Sequence, residues 1–108
     1  MSYTSEKLTP DNQWKIKNLP PESRPDEKLT HFGEKALTDA ELLAIIIRNG
    51  FKGYNSVRLA EDIIECGGSK GLIGLCSIDI EELVKLKGVG RVKAIQVKAI
   101  AELARRIS

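Results

Sequence analysis

Aromatic side chains are scarce in this chain: one Trp, two Tyr and two Phe among 108 residues. That is too little material for the aromatic platform on which single-strand binders stack bases. Histidine occurs once, and the two cysteines, Cys66 and Cys76, show no metal-ligand spacing. This count excludes a disulfide scaffold and a Cys/His metal site, so buried reduced thiols in a cytoplasmic protein are expected. Hydrophobic runs are short as well. Ile45-Ile46-Ile47 is a core segment, far below the ~20 residues of a membrane helix. Met1 to Gln13 is polar and lacks the apolar centre of a signal peptide. No P-loop, Ser/His/Asp set or Cys/His pair can be assembled, and adjacent Glu61 and Asp62 point in different directions on a helix. No catalytic residue, metal ligand or cofactor is therefore assigned, and the chain is not expected to be an enzyme.

What is present is an ordinary globular composition, 42% hydrophobic and 30% charged, at a length that suits one domain. The net charge of +2 hides an asymmetry. From Lys85 to Ser108 there are seven basic residues and one acid, Glu102, while the first 84 residues hold ten basic and fourteen acidic groups. A local excess of cations favours a polyanionic partner.

That excess coincides with Leu86-Lys87-Gly88-Val89-Gly90, followed by Arg91-Val92-Lys93-Ala94. Before it, Asp79 to Lys85 reads as a short amphipathic helix with Ile80, Leu83, Val84 and Leu86 at helical spacing. After it, Arg91 to Ile107 is a longer helical pattern without Gly or Pro. Two glycines flanking one apolar residue describe a tight hairpin. Gly88 supplies a positive φ, Gly90 permits close backbone approach, and Val89 turns inward. The N–H groups opening the second helix then face outward, and the helix dipole favours an anion there. The stretch resembles the helix-hairpin-helix motif of proteins that hold the DNA backbone, through Leu86, Gly88, Val89, Gly90 and Ala94. Motif members usually carry a cation where Val92 stands; here Arg91 and Lys93 flank that position. The alternative is a hairpin that only packs two helices or binds protein.

Residues 1–13 read as a flexible arm and 14–108 as one helical domain, with the helix-hairpin-helix at 79–107. Trp14-Lys15-Ile16-Lys17 suggests an extended stretch with Trp14 as a core anchor, and Leu19-Pro20-Pro21 an extended connection. Pro25 opens a helix that should run to Phe32 and stop at Gly33. Thr38 and Glu41 form a capping box before the apolar helix Asp39 to Arg48, which Asn49-Gly50 ends. Phe51 to Asn55 is a polar connector, Ser56 the expected N-cap of a helix from Val57 to Glu65, with Leu59, Ile63 and Ile64 as its apolar face. Gly67-Gly68 stops it, Leu72 to Cys76 is a helical turn, and Asp79 with Glu82 caps the next helix. Residues 42–64 and 81–103 suggest a degenerate tandem pair of helical units. The expected fold is an all-α bundle of about five short helices.

On the last helix, Arg91, Lys98, Glu102 and Arg105 fall on one side at 100° per residue. Val92, Ala99, Ile100, Leu103 and Ile107 are expected on the buried side, widened by Val97, Ala101 and Ala104. Lys93 can snorkel from that side to the hairpin surface. Glu102 can pair with Lys98 and Arg106 at i±4. The expected DNA-binding set is Lys87, Gly88, Val89, Gly90, Arg91 and Lys93, with Lys98 and Arg105 as second-line contacts.

Leu19-Pro20, Arg24-Pro25, Glu27-Lys28-Leu29, Leu37 to Ala44, Arg48, Gly50, Ser56-Val57 and Leu59-Ala60 form an ordered string that continues through Gly88-Val89-Gly90, Lys93-Ala94, Glu102-Leu103 and Arg105-Arg106. It resembles the N-terminal region of the RadC family of DNA-repair-associated proteins over Ile16 to Arg106. Ser23 and Asp26 stand where that family often has Glu and Arg, so the loop here is less basic. The resemblance implies a DNA-backbone-binding module and, in full-length members, a second domain like zinc metallopeptidases. Such a site needs a His-x-His pair, an Asp and a Glu. His31 alone cannot build it and reads as a surface or helix-end residue. The chain is accordingly read as the N-terminal domain alone, whose partners are the DNA phosphate backbone and the metallopeptidase-like domain, with no membrane. A protein-interaction or regulatory domain, contacting its partner through the apolar rim around Val89, is the competing reading. If Val89 and Leu86 are buried and the cations exposed, the DNA reading is favoured.

Overall fold

Capping chemistry and short apolar stripes divide the chain into helices, and the computed structural model describes residues 24–48 and 55–108. The arm, the Trp14–Lys17 stretch, the Leu19-Pro20-Pro21 connection, the Asn49-Gly50 stop and residues 51–54 of the connector lie outside the described residues.

Helix α1 spans Pro25–Phe32, with Pro in the first turn, Asp26 and Glu27 beside it and Gly33 ending it at φ +88°. A 3-10 turn, Glu34–Ala36, leads to α2, Asp39–Ile47. The capping box is formed: Thr38 Oγ1 accepts from Glu41 N–H at 3.1 Å, and the Glu41 carboxylate accepts from Thr38 N–H at 2.8 Å. Glu41 also receives the Lys28 ammonium at 3.1 Å, which ties α1 to α2. Burial pushes this carboxyl up, but the Thr38 N–H and Lys28 outweigh it and hold it below the ordinary value.

Helix α3 is Ser56–Glu65, and here the expected cap shifts by one residue. Asn55 is the N-cap, its Oδ1 accepting from Arg58 N–H at 2.9 Å. Both residue types cap well. Asn55 takes the role because Ser56 is turned fully into the core, its hydroxyl without a hydrogen-bond partner. The helical turn expected at Leu72 to Cys76 is longer: a 3-10 segment, Gly68–Cys76, kinked at Gly71. Helix α4 is only Ile80–Leu83, shorter than the sequence pattern suggested, and the Asp79 side chain does not cap it. The chain instead descends to the hairpin through i→i+3 turns, Lys85 N–H to Glu82 O and Leu86 N–H to Leu83 O. Helix α5, Arg91–Ile107, matches the expected span.

All the described elements are helical, and the expected all-α bundle is what forms. Helices α2 and α3 pack most extensively on one another, and α5 lies against the 3-10 segment, α4 and α2. Leu43, Ala44, Ile47, Leu59, Ala60, Ile63, Leu75, Leu83, Val89, Ala94, Val97 and Ala101 make one continuous core.

Two expectations fail here. Both thiols, Cys66 and Cys76, are exposed rather than buried: Cys66 follows the end of α3, and Cys76 is the last residue of the 3-10 segment. The inner face of α5 is also rotated from the one expected. Val97 and Ala101, expected at the edge of the buried side, are its centre together with Ala94, and Ile100 is half-buried, whereas Val92, Ala99, Leu103, Ala104 and Ile107 face outward. The cause is steric. Two alanines and a valine let the α5 backbone come close to its neighbours, and the larger side chains do not fit that gap.

Candidate nucleic-acid interface

The hairpin is set by one buried side chain and one glycine. Val89 is 3% exposed and packs in the core, with its N–H bonded to Leu86 O at 3.1 Å. Gly88 has φ +91°, a conformation that L side chains rarely adopt. Gly90 is different. Its backbone is extended, at φ −84° and ψ −178°, and a Cβ placed there would meet nothing within 4 Å. The close backbone approach expected at Gly90 is therefore not made by this chain; the glycine instead leaves open space before α5.

That space faces a helix terminus without a side-chain cap. Ala94 N–H reaches back to Gly90 O at 3.0 Å, and the N–H groups of Arg91 and Val92 precede that first intrahelical bond. Lys87 and Arg91 are exposed beside it, and Lys93 is half-buried. The Lys93 ammonium folds back to within 3.5 Å of Gly88 O, consistent with a stem that snorkels along the hairpin. Gly88, Gly90, Lys87, Arg91 and Lys93 thus lie together around the hairpin, with buried Val89 as the anchor.

The other four cations of residues 85–108 are engaged elsewhere. Lys98 donates to Leu75 O at 3.2 Å and Cys76 O at 3.0 Å, stapling α5 to the 3-10 segment. Lys85 pairs with Glu82 at 3.3 Å. Arg105 and Arg106 both bind Glu102, at 2.6 and 2.9 Å, where the sequence had suggested Lys98 and Arg106. Hydrogen bonds from Arg105 and then Arg106 pull the Glu102 carboxyl down to about 2. A lowered carboxyl pKa stabilises the fold above its unfolded value, and this contribution disappears only as pH falls through about 2. An NMR pH titration of the Glu102 side chain should accordingly show no transition between pH 3 and 5. A midpoint near its unperturbed value would mean that the two arginines do not hold it in solution.

Acidic groups gather on other elements. Asp39, Glu61, Asp62 and Glu65 line the cleft between α2 and α3, with Arg58 among them. Burial and the neighbouring Glu65 push the Asp62 carboxyl up. His31 is exposed in the last turn of α1, its ring centroid 6.3 Å from that of Phe32. Among the described residues, no group of three His, Cys, Asp or Glu side chains is placed to hold a metal ion. No described helix is long and apolar enough to cross a membrane.

The UPF0758 N-terminal family model matches residues 16–95. The chain belongs to the UPF0758 N-terminal family. This is the family to which the RadC resemblance pointed. A UPF0758 protein of Clostridium botulinum strain Hall is 46% identical over 96 residues, which cover 89% of this chain and 41% of the relative. A UPF0758 protein of Clostridium kluyveri is 45% identical over 92 residues, covering 85% and 40% respectively. The chain thus spans about two-fifths of the length of these curated UPF0758 relatives. No solved structure matches it.

Proposed function

We propose that this UPF0758 domain binds the DNA phosphate backbone without reading sequence, as a helix-hairpin-helix module of a RadC-like, repair-associated protein. The observation that carries the reading is the orientation of the hairpin. Val89 is buried and Leu86 half-buried, while Lys87 and Arg91 are exposed. A hairpin contacting protein through an apolar rim would turn Val89 and Leu86 outward instead.

The open space before Gly90, the uncapped start of α5 and its dipole offer donors to one phosphate, and Lys87, Arg91 and Lys93 neutralise its neighbours. Contacts of this kind position a protein on DNA but specify no base. The domain itself is read as non-catalytic. In proteins of the relatives' full length, it would tether to DNA the metallopeptidase-like domain that the RadC resemblance implies. Exposed, unpaired thiols at Cys66 and Cys76 suit the reducing cytoplasm.

The test is a salt titration of binding to a short labelled duplex, on the native chain and on a Lys87→Ala, Arg91→Ala, Lys93→Ala triple variant. Each phosphate neutralised contributes about 0.9 to the log–log salt slope, so a slope of about 2 to 3 is expected, with loss of binding in the variant. Circular dichroism checks that the variant stays folded. Failure of the native chain to bind at low salt overturns the reading.

A further inference from the structure

Lys98 stands about two turns along α5 from the candidate phosphate site, among the cations expected to meet DNA. Its ammonium is committed to protein instead. It donates to Leu75 O at 3.2 Å and Cys76 O at 3.0 Å, the last two carbonyls of the 3-10 segment. Lysine is well suited to such terminal carbonyls, which carry the negative end of the segment. A backbone phosphate could recruit Lys98 only by breaking both bonds.

Those bonds supply what the packing around them does not. Helix α5 meets the core through Ala94, Val97 and Ala101, small apolar side chains whose attraction has no direction. Such a contact brings the helix close, whereas two directed hydrogen bonds fix how far it is turned and slid along its axis. The anchor itself is firm, because Leu75 is buried and belongs to the core. From Lys98 back to Arg91 the helix is unbroken, so whatever fixes Lys98 also fixes the direction of the Arg91 and Val92 N–H groups.

Resting on the phosphate reading of that terminus, we propose that Lys98 is a positioning residue of the site and not a phosphate contact. The demand on position is strict. A displacement of about 1 Å takes an N–H···O contact out of hydrogen-bond range.

Duplex binding by Lys98→Met and Lys87→Met, measured across salt concentrations well below the melting temperature, separates the two roles. Methionine keeps an apolar stem and removes the ammonium. Lys87→Met should lose about 0.9 from the log–log salt slope, as a phosphate contact must. Lys98→Met should bind about fivefold more weakly, the effect of roughly one net hydrogen bond, and keep the native slope. Its Gly90, Arg91 and Val92 amide signals should already differ from the native ones without DNA. On the native chain, which needs no variant to fold, the terminal methylene signals of the Lys98 side chain should stay fixed as duplex is added while those of Lys87 move. A Lys98→Met slope reduced by about 0.9, or Lys98 side-chain signals that move with those of Lys87, would make Lys98 a contact and overturn the proposal. Native affinity in Lys98→Met overturns it as well. Failure of the native chain to bind duplex at all is a separate result, which removes the phosphate reading and this role with it.

Discussion

Gly74→Ala is expected to lower the unfolding free energy by about 3 kcal/mol, at the upper end of ordinary overpacking. A Cβ at Gly74 would stand 2.5 Å from Gly67 Cα and 2.8 Å from Gly67 C, and closer still to Gly67 O. All three atoms are backbone, so no side chain can swing aside to relieve the contact. The two glycines let the end of α3 touch the far part of the 3-10 segment. That segment in turn carries Leu75 into the core and holds α5 through Lys98. For a domain of this size, a change of about 3 kcal/mol lowers the melting temperature by more than about 10 °C. Gly90→Ala is the internal control. Its backbone is extended and its surroundings are open, so the melt should stay within about 0.5 kcal/mol of the native chain. DNA affinity should nevertheless fall, since the new methyl group would occupy the space proposed for phosphate.

Leu83→Ala should cost a similar amount, about 3 kcal/mol, and should reach the hairpin as well. A four-residue helix has no independent stability. Helix α4 is held in place by Leu83, which is fully buried, and by the core it shares with Val89, Ala94 and Val97. Removing the leucine side chain opens a cavity beneath the turns that deliver Lys87 and Gly88. Thermal melting checks the stability, and duplex binding well below the melting temperature checks the coupling: affinity should fall although no cation has been altered. Undiminished binding would show that the hairpin geometry does not depend on α4.

Much of the fold was legible because local chemistry and final structure agree. Pro25 and Gly33 bound α1, Thr38 and Glu41 cap α2, and the uninterrupted pattern from Arg91 to Ile107 is α5. The hairpin was legible for the same reason, since a buried Val89 and a positive-φ Gly88 are properties of a few adjacent residues. What failed was tertiary. Placing the buried face of α5 opposite its charged side put Val92, Leu103 and Ile107 at the centre of that face and Val97 and Ala101 at its edge, whereas a close helix contact selects Ala94, Val97 and Ala101 by size. The partners of Lys98 are carbonyls more than twenty residues away, and nothing local to Lys98 announces them. Asn55 and Ser56 are both good caps, and only the burial of Ser56 decides between them.

The central claim is that backbone donors at the start of α5 hold a DNA phosphate. An amide-resolved NMR titration of the chain with a short duplex at low salt tests it most directly. The amides of Gly90, Arg91 and Val92 should shift most, with saturable curves that weaken together as salt is raised, while those of α2 and α3 stay fixed. Shifts spread over the lysine and arginine side chains without movement of these three amides, or centred on another element, would contradict it.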